Sequence, residues 1–199
     1  MATIYDLKPA FQNLLRPIVR GLANAGITPN QITYVALILS FITGGAIVFT
    51  HGAVWALLVM PAVMFIRMAL NAIDGILAKE HDMKSDAGAM LNEMSDVISD
   101  AALYLPFALI DGVSALWVVL FVIMAIFTEM AGVLGALIGG IRRYDGPMGK
   151  SDRAFVIGAL SLVLGLGVSP DGWFDEVMIV ATVLGAWTVL RRCMRGLPS

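Results

Sequence analysis

Cysteine, histidine and charged residues are all scarce in this sequence of 199 residues. Its single cysteine, Cys193, excludes an intramolecular disulfide. Its two histidines, His51 and His81, are predicted to lie on opposite sides of a membrane, so we expect neither a zinc site nor a histidine-based catalytic set. The sequence has no glycine-rich phosphate loop and no nucleic-acid-binding signature. We therefore expect no nucleic-acid partner.

The shortage of charge is matched by an excess of apolar residues. Charged residues make up 14% of the chain and hydrophobic residues 59%, which excludes an ordinary soluble domain and indicates an integral membrane protein. Apolar segments of about the length needed to cross a bilayer recur along the chain. Their predicted bounds are 28–49, 54–78, 87–110, 115–141, 154–168 and 177–190. The predicted fold is all-α, with a membrane domain of six transmembrane helices at residues 28–199.

Residues 1–27 are predicted to form an amphipathic helix in front of the first span. Apolar residues recur there at helical spacing, with basic and amide residues between them. The helix either lies in the membrane surface or packs on the protein itself, and both can hold together. Thr28, Pro29 and Gln31 then predict a capping box at the start of the first span.

The lysines and arginines predict the orientation in the membrane. All but Arg67 fall on one side of the six-span arrangement, and the opposite loops contain no lysine or arginine. The residues on the basic side are Lys8, Arg16, Arg20, Lys79, Lys84, Arg142, Arg143, Lys150, Arg153, Arg191, Arg192 and Arg195. The positive-inside rule therefore places both termini on the cytoplasmic side of the cell (inner) membrane.

Polar side chains interrupt the second and third predicted spans near their cytoplasmic ends. Steps of three and four residues bring them to one face of each helix. The two faces consist of Arg67, Asn71, Asp74 and Ala78 on the second span, and of Gly88, Asn92, Asp96 and Asp100 on the third. Because a short charged loop joins these spans, we expect antiparallel neighbours with Asp74 facing Asp96.

These faces contain the ligand types that hard divalent cations prefer, namely carboxylate and amide oxygens. The candidate ligands for Mg²⁺ or Mn²⁺ are Asn71, Asp74, Asn92 and Asp96. Gly75 leaves room for a ligand to approach the backbone beside Asp74. The alternative is that these groups bind only one another and stabilise the helix bundle.

The same residues follow a spaced pattern. It reads Asn71-x-x-Asp74-Gly75-x-x-Ala78-Lys79, then eight residues, then Gly88-x-x-x-Asn92-x-x-x-Asp96. This spacing resembles the signature of the CDP-alcohol phosphatidyltransferases, which is Asp-x-x-Asp-Gly-x-x-Ala-Arg followed by Gly-x-x-x-Asp-x-x-x-Asp. Asn71 and Asn92 stand where the signature has its first and third aspartates, and Lys79 stands where it has arginine.

The resemblance implies an activity and a set of roles. Family members transfer a phosphatidyl group from a CDP-linked lipid, such as CDP-diacylglycerol, to an alcohol acceptor and release CMP, at a centre of two metal ions. By this resemblance Asp96 acts as the base that accepts the hydroxyl proton. The nucleotide and its diphosphate are bound by Gly75, Ala78, Lys79 and Gly88. The family also implies a homodimer, which the small residues Gly132, Gly135, Ala136 and Gly139 of the fourth span favour.

The two asparagines change the charge of the predicted metal centre. Asp74 and Asp96 supply two negative charges, so two divalent cations would leave two positive charges uncompensated in a partly dry site. A lipid diphosphate supplies about that missing charge. We therefore expect at least one metal ion to enter with the nucleotide lipid and to bind the amide oxygens of Asn71 and Asn92.

Two alternatives to the transferase function are a family member that binds CDP-lipid or metal without turnover and a small transporter or scaffold.

Two further groups of charged residues are candidates. Arg142, Arg143, Lys150 and Arg153 could bind a phosphate of the acceptor or of a lipid head group, or they could be ordinary cytoplasmic loop charge. Arg67, Asp100 and Glu129 are predicted to lie deeper, at similar depth near the membrane midplane. We expect Arg67 to pair with Asp100, Glu129 or both, because an unpaired charge there is strongly disfavoured. A structural role for this cluster is favoured over metal binding by Asp100.

Overall fold

Seven α-helices and one short 3-10 helix make up the part of the chain that the structure, a computed structural model, describes. It describes the backbone of residues 4–197 and the side chains of residues 10–197, so the first three residues of the predicted N-terminal helix lie outside it. The helices are α1 (Ile4–Asn24), α2 (Pro29–Thr50), α3 (Val54–Glu80), α4 (Asp86–Tyr104), the 3-10 helix (Leu105–Leu109), α5 (Ala115–Gly139), α6 (Lys150–Gly165) and α7 (Trp173–Gly196). The predicted all-α fold is confirmed.

Local sequence signals define where α2, α4 and α6 begin. The predicted capping box of α2 is present, with the Thr28 amide donating to Gln31 Oε1 at 2.9 Å. Ser85 caps α4 by accepting a hydrogen bond from the Gly88 amide at 3.0 Å. The Gly149 amide donates to the Asp152 carboxylate at 2.9 Å at the start of α6. These caps fix the helix ends that carry the signature residues.

Four of the described helices, α2, α3, α5 and α7, are long and apolar enough to cross a membrane. The other two predicted spans differ from these four. In α4 the acidic residues lower the hydropathy, and α6 has only 16 residues. Length and composition therefore mark four spans within residues 4–197, fewer than the six predicted from the sequence.

Three helices have ends that differ from the sequence prediction. The third span does not continue as one α-helix to residue 110, because α4 ends at Tyr104 and a 3-10 helix containing Pro106 follows. The α6 helix begins four residues earlier than expected, at Lys150. The α7 helix continues to Gly196, so Arg192 lies inside it rather than beyond it. Arginine is a good helix former, and the apolar run alone gave too short a span.

The helix α2 is the central partner at the signature end, since it packs against both α3 and α4. A Cβ at Gly44 would lie 2.0 Å from the carbonyl oxygen of Ala102, so α2 and α4 touch there through their backbones. By contrast α3 and α4, both fully described, are not closely packed along their backbones. The two helices are neighbours, as predicted, but they meet through polar side chains such as Arg67 and Asp100 rather than along their backbones.

The glycines of α5 make contacts inside the chain. A Cβ at Gly135 would lie 2.7 Å from Cγ of Arg143, and one at Gly139 would lie 2.7 Å from the carbonyl oxygen of Gly196. These small residues bring α5 close to α7 and to the loop after α5. They do not support a contact between two chains, and the homodimer stays a prediction.

The N-terminal helix α1 packs on α3. Leu15 and Val19 are buried against Ile73 and Leu77, whereas Leu14 is 71% exposed. An ion pair of 2.9 Å joins Arg16 to Glu80 at the end of α3. The prediction that the helix packs on the protein is confirmed, and its other apolar side is free to meet lipid.

Candidate active site

The polar faces of α3 and α4 meet across a cleft through paired side chains. Asn71 Nδ2 donates a hydrogen bond to Asp96 Oδ1 at 3.0 Å. One turn deeper, Arg67 donates to Asp100 Oδ1 at 3.1 Å. Residues of the two predicted polar faces therefore pair across the cleft. Asn71 and Asp96 form the half-buried pair, and Arg67 and Asp100 form the buried pair.

Asp74 is buried and is held from α2. Thr33 Oγ1 donates to Asp74 Oδ2 at 3.1 Å and also lies 3.1 Å from the carbonyl oxygen of Pro29. The charges of Asp96 and Lys150 act on the Asp74 carboxylate, which places all three in one electrostatic neighbourhood. Thr33 was not predicted as a site residue. No sequence signal distinguishes its hydroxyl from those of Ser40 and Thr43 on the same helix, which donate to backbone carbonyls.

Asp96 is the more accessible of the two signature carboxylates, with 18% of its side chain exposed. Its Oδ1 atom contacts the ammonium group of Lys150 as well as the Asn71 amide. Lys150 is the first residue of α6. The structure thus brings Lys150, expected to bind a phosphate, onto the predicted base.

The residues predicted to bind the nucleotide lie at the open ends of α3 and α4. A Cβ built at Gly75 would have no neighbouring atom within 4 Å, so the predicted room beside Asp74 is present. At Gly88 a Cβ would lie 2.8 Å from Asn30 Oδ1, which means that this glycine keeps α4 close to the start of α2. Lys79 is exposed, and Ala78 is half-buried.

The deeper charges form a connected network. Arg153 is 1% exposed, and its Nη2 atom lies 3.2 Å from Asp100 Oδ2 and 2.8 Å from Glu129 Oε1. The predicted pairing of Arg67 with Asp100 is confirmed, whereas Glu129 pairs with other arginines. The prediction that Arg153 is a phosphate-binding surface residue is wrong, because α6 starts earlier than expected and its carboxylate partners hold Arg153 inside the protein.

Arg142 and Arg192 extend this network toward the end of the bundle that contains the signature residues. Arg142 contacts Glu93 on α4 and lies 2.9 Å from Glu129. Arg192 is 2% exposed, lies 3.8 Å from Glu129 and donates to the Thr128 carbonyl at 2.6 Å. Sequence reasoning missed Arg192 because it counted that residue as loop charge. Arg143 is half-buried in the loop after α5 and forms no ion pair within the described side chains.

The cleft fits a divalent cation by the chemistry of its ligands. Asp74 Oδ1 and Asp96 Oδ2 accept no hydrogen bond from any described side chain, since the observed bonds use the other oxygen of each carboxylate. Asn71 points its nitrogen at Asp96, which leaves its amide oxygen for a ligand, and Asn92 is half-buried in the same helix face. Within the described part of the chain, no three acidic, histidine or cysteine side chains cluster as a metal site. Carboxylate and amide oxygens are nevertheless the donors that Mg²⁺ and Mn²⁺ accept.

Known proteins resemble this chain in sequence and in fold. The chain is 44% identical over 191 residues to inner membrane protein YnbA of Escherichia coli K12, an alignment that covers 96% of this chain and 94% of that protein. A crystal structure of Mycobacterium tuberculosis phosphatidylinositol phosphate synthase with CDP-DAG bound superposes with a TM-score of 0.73 at 19% identity, over 90% of this chain and 92% of that chain. Another, in complex with manganese and citrate, gives a TM-score of 0.74 at 20% identity, over 90% and 87%.

The sequence pattern of one family matches most of the chain. The match to CDP-alcohol phosphatidyltransferase covers residues 26–190, from the end of α1 into α7. It includes the α3–α4 cleft and every buried charge described above except Arg192. The chain belongs to the CDP-alcohol phosphatidyltransferase family.

Proposed function

We propose that the α3–α4 cleft is the active site of this enzyme and that CDP-diacylglycerol is its donor. Members of the family transfer a phosphatidyl group from a CDP-linked lipid to an alcohol and release CMP, and so does this chain. The observation that carries the site assignment is the meeting of Asn71 with Asp96 across the cleft, beside Asp74. The CDP-DAG bound to the Mycobacterium tuberculosis neighbour supports the choice of donor.

The nucleotide end of the donor would lie along the open ends of α3 and α4. The space at Gly75 admits the diphosphate next to Asp74, and the exposed Lys79 can reach it as a point charge. Ala78, half-buried at the same end of α3, and Gly88, which keeps α4 close to the start of α2, are proposed to border the cytidine. These four residues are therefore proposed to position the phosphorus that is attacked.

The transfer step forms one bond and breaks one bond. The acceptor oxygen attacks the phosphatidyl phosphorus, the bond from that phosphorus to the CMP oxygen breaks, and CMP leaves. Asp96 accepts the hydroxyl proton at Oδ1 once Lys150 turns from it to the donor diphosphate. A divalent cation held by Asp74, Asp96, Asn71 and Asn92 would supply a Lewis acid that draws charge from the phosphorus and stabilises the leaving group. The manganese in a neighbour structure supports a divalent cation in a protein of this fold.

The acceptor site is proposed to lie at the cytoplasmic ends of α4, α5 and α6. Arg143 forms no ion pair within the described side chains and is proposed to meet a phosphate on the acceptor or on a lipid head group, whereas Lys150 is assigned to the donor diphosphate. Arg142 and Arg153 are already bound by carboxylates, so we assign them to support the site.

The setting of the enzyme follows from its charges and its relatives. We propose six transmembrane helices, with α4 and α6 crossing inside the bundle where their polar side chains meet partners. The helix α1 is proposed to lie at the membrane surface, with both termini and the cleft on the cytoplasmic side of the inner membrane. The inner-membrane relative YnbA supports the location, and a homodimer is proposed from the family resemblance.

The test is an acceptor screen with the purified protein in nanodiscs. CDP-diacylglycerol and one alcohol at a time, including serine, glycerol phosphate and inositol phosphate, would be incubated with Mg²⁺ or Mn²⁺ and assayed for CMP. We expect CMP release with at least one acceptor, and its loss with EDTA. Donor binding without CMP release from any acceptor would instead favour a family member that binds without turnover.

A further inference from the structure

A lysine ammonium group lies in the cleft, in contact with one of the two signature carboxylates. We propose that the cleft binds one divalent cation, rather than the two implied by the family resemblance, and that the Lys150 ammonium takes the place of the second. This inference rests on the proposed function, since it concerns the same cleft.

The carboxylate oxygens that remain free are sufficient for one ion. Asp74 Oδ2 already accepts the Thr33 hydroxyl, and Asp96 Oδ1 already accepts the Asn71 amide and contacts Lys150. This leaves Asp74 Oδ1 and Asp96 Oδ2. With amide, water and phosphate oxygens they can complete the six-ligand shell of a single Mg²⁺ or Mn²⁺. A second ion would have to divide these two oxygens with the first or displace Lys150 from Asp96 Oδ1.

The charge in the cleft points the same way. Asp74 and Asp96 carry two negative charges, and Lys150 contributes one positive charge in contact with Asp96. One divalent cation brings this set to a single positive charge, whereas two would bring it to three. Charges of the same sign a few ångströms apart repel strongly where water is partly excluded. Without bound donor, the ammonium group and a second cation therefore compete for the same position.

Lys150 is held in place by its own helix. The first turn of α6 is closed by the Gly149 amide on Asp152, and Arg153, three residues after Lys150, is buried in contact with Asp100 and Glu129. The Lys150 backbone is thus anchored, while its four-carbon side chain can move. The ammonium can lie on Asp96 in the absence of donor and turn to the diphosphate when the donor binds.

The experiment is a Mn²⁺ titration of the purified protein in nanodiscs without donor, followed by electron paramagnetic resonance. We expect one bound Mn²⁺ per chain with the spectrum of an isolated ion. Lys150→Met should bind Mn²⁺ at least tenfold more tightly, because the competing charge is gone, and the loop variant Lys84→Met should match the wild type. Two Mn²⁺ per wild-type chain, a spin-coupled pair, or unchanged affinity in Lys150→Met would overturn the proposal.

A second variant and a second assay separate this inference from the proposed function. The triple variant Asn71→Asp, Asn92→Asp, Lys150→Met should bind two Mn²⁺ with a spin-coupled spectrum, and a single ion there would also count against the proposal. CMP release by a wild-type protein that binds two ions would refute the single-ion site alone. A single bound ion with no CMP from any acceptor would refute the proposed function alone.

Discussion

Two successive turns of α4 carry aspartates that do different things. Asp96 has 18% of its side chain exposed and meets an amide and a mobile ammonium, whereas Asp100 has 6% exposed and is held between Arg67 and Arg153. The residue type is the same, and the partners and burial differ. A carboxylate with a free oxygen and an exchangeable partner can serve chemistry, while one enclosed by two guanidinium groups stabilises the fold.

The largest expected effect separates the two aspartates directly. Asp96→Asn should lower the rate of CMP release at least ~100-fold, because the proton acceptor is lost. It should leave the melting temperature in detergent nearly unchanged, since Lys150 is half-exposed and can turn to water. Asp100→Asn should do the reverse and lower the melting temperature, because it weakens the contacts that satisfy two buried arginines. An active Asp96→Asn enzyme would remove Asp96 from the role of base.

The next largest effect is expected in the network of buried charges around Arg153. Arg153→Met leaves the buried carboxylates of Asp100 and Glu129 without their shared partner and should reduce the free energy of unfolding by about 3 kcal/mol or more. Denaturant unfolding in mixed micelles would measure it. Adding Glu129→Gln to this variant should restore part of the loss, and no restoration would argue against charge as the cause.

A smaller effect is expected at the backbone contact between α2 and α4. Gly44→Ala would place a Cβ 2.0 Å from the Ala102 carbonyl oxygen and so push α2 away from α4, at a cost of about 1–3 kcal/mol in unfolding free energy. Gly45→Ala is the matched control, because a Cβ there would meet only the Phe49 ring at 3.9 Å. Equal stability of the two variants would show that the α2–α4 contact can relax.

The smallest effect comes from an ion pair at the surface. The hydrogen bond from Arg195 holds the pKa of the Asp145 carboxylate below its ordinary value. A lowered pKa in the folded state stabilises above the unfolded pKa, and this contribution is lost as the pH falls through the folded value. Arg195→Met should therefore lower the melting temperature slightly at pH 7 and by progressively less as the pH falls below about 3.9, the ordinary aspartate value. A large decrease in the melting temperature at pH 7 would show that the Arg195–Asp145 pair stabilises the fold as much as the buried ion pairs do.

The sequence allowed prediction of features that depend on spacing along one helix. The Thr28 cap, the meeting of Asn71 with Asp96 and the pairing of Arg67 with Asp100 all followed from helical periodicity and the penalty for unpaired charge in the membrane. The family signature added the probable chemistry of the cleft only as an expectation, and the match over residues 26–190 then showed the family.

Features that depend on contacts between distant helices could not be predicted in this way. The apolar runs predicted the wrong start for α6 and the wrong end for α7. Arg153 and Arg192 were therefore assigned to the surface, although both are buried. The Thr33 hydroxyl gave no signal in an apolar helix until Asp74 was placed beside it. Nor did the small residues of α5 reveal whether they would face α7 or another chain.

The contact between α1 and α3 has a consequence for how this enzyme is assayed. The helix α1 presents Leu14 outward, rests on α3 through Leu15 and Val19, and is tied by Arg16 to Glu80, six residues beyond Asp74. If α1 lies at the membrane surface as proposed, any tilt of it under the lateral pressure of the head groups must pull on the end of α3 or break that ion pair. The curvature and composition of the reconstituted bilayer thus belong among the controlled variables of every rate measurement.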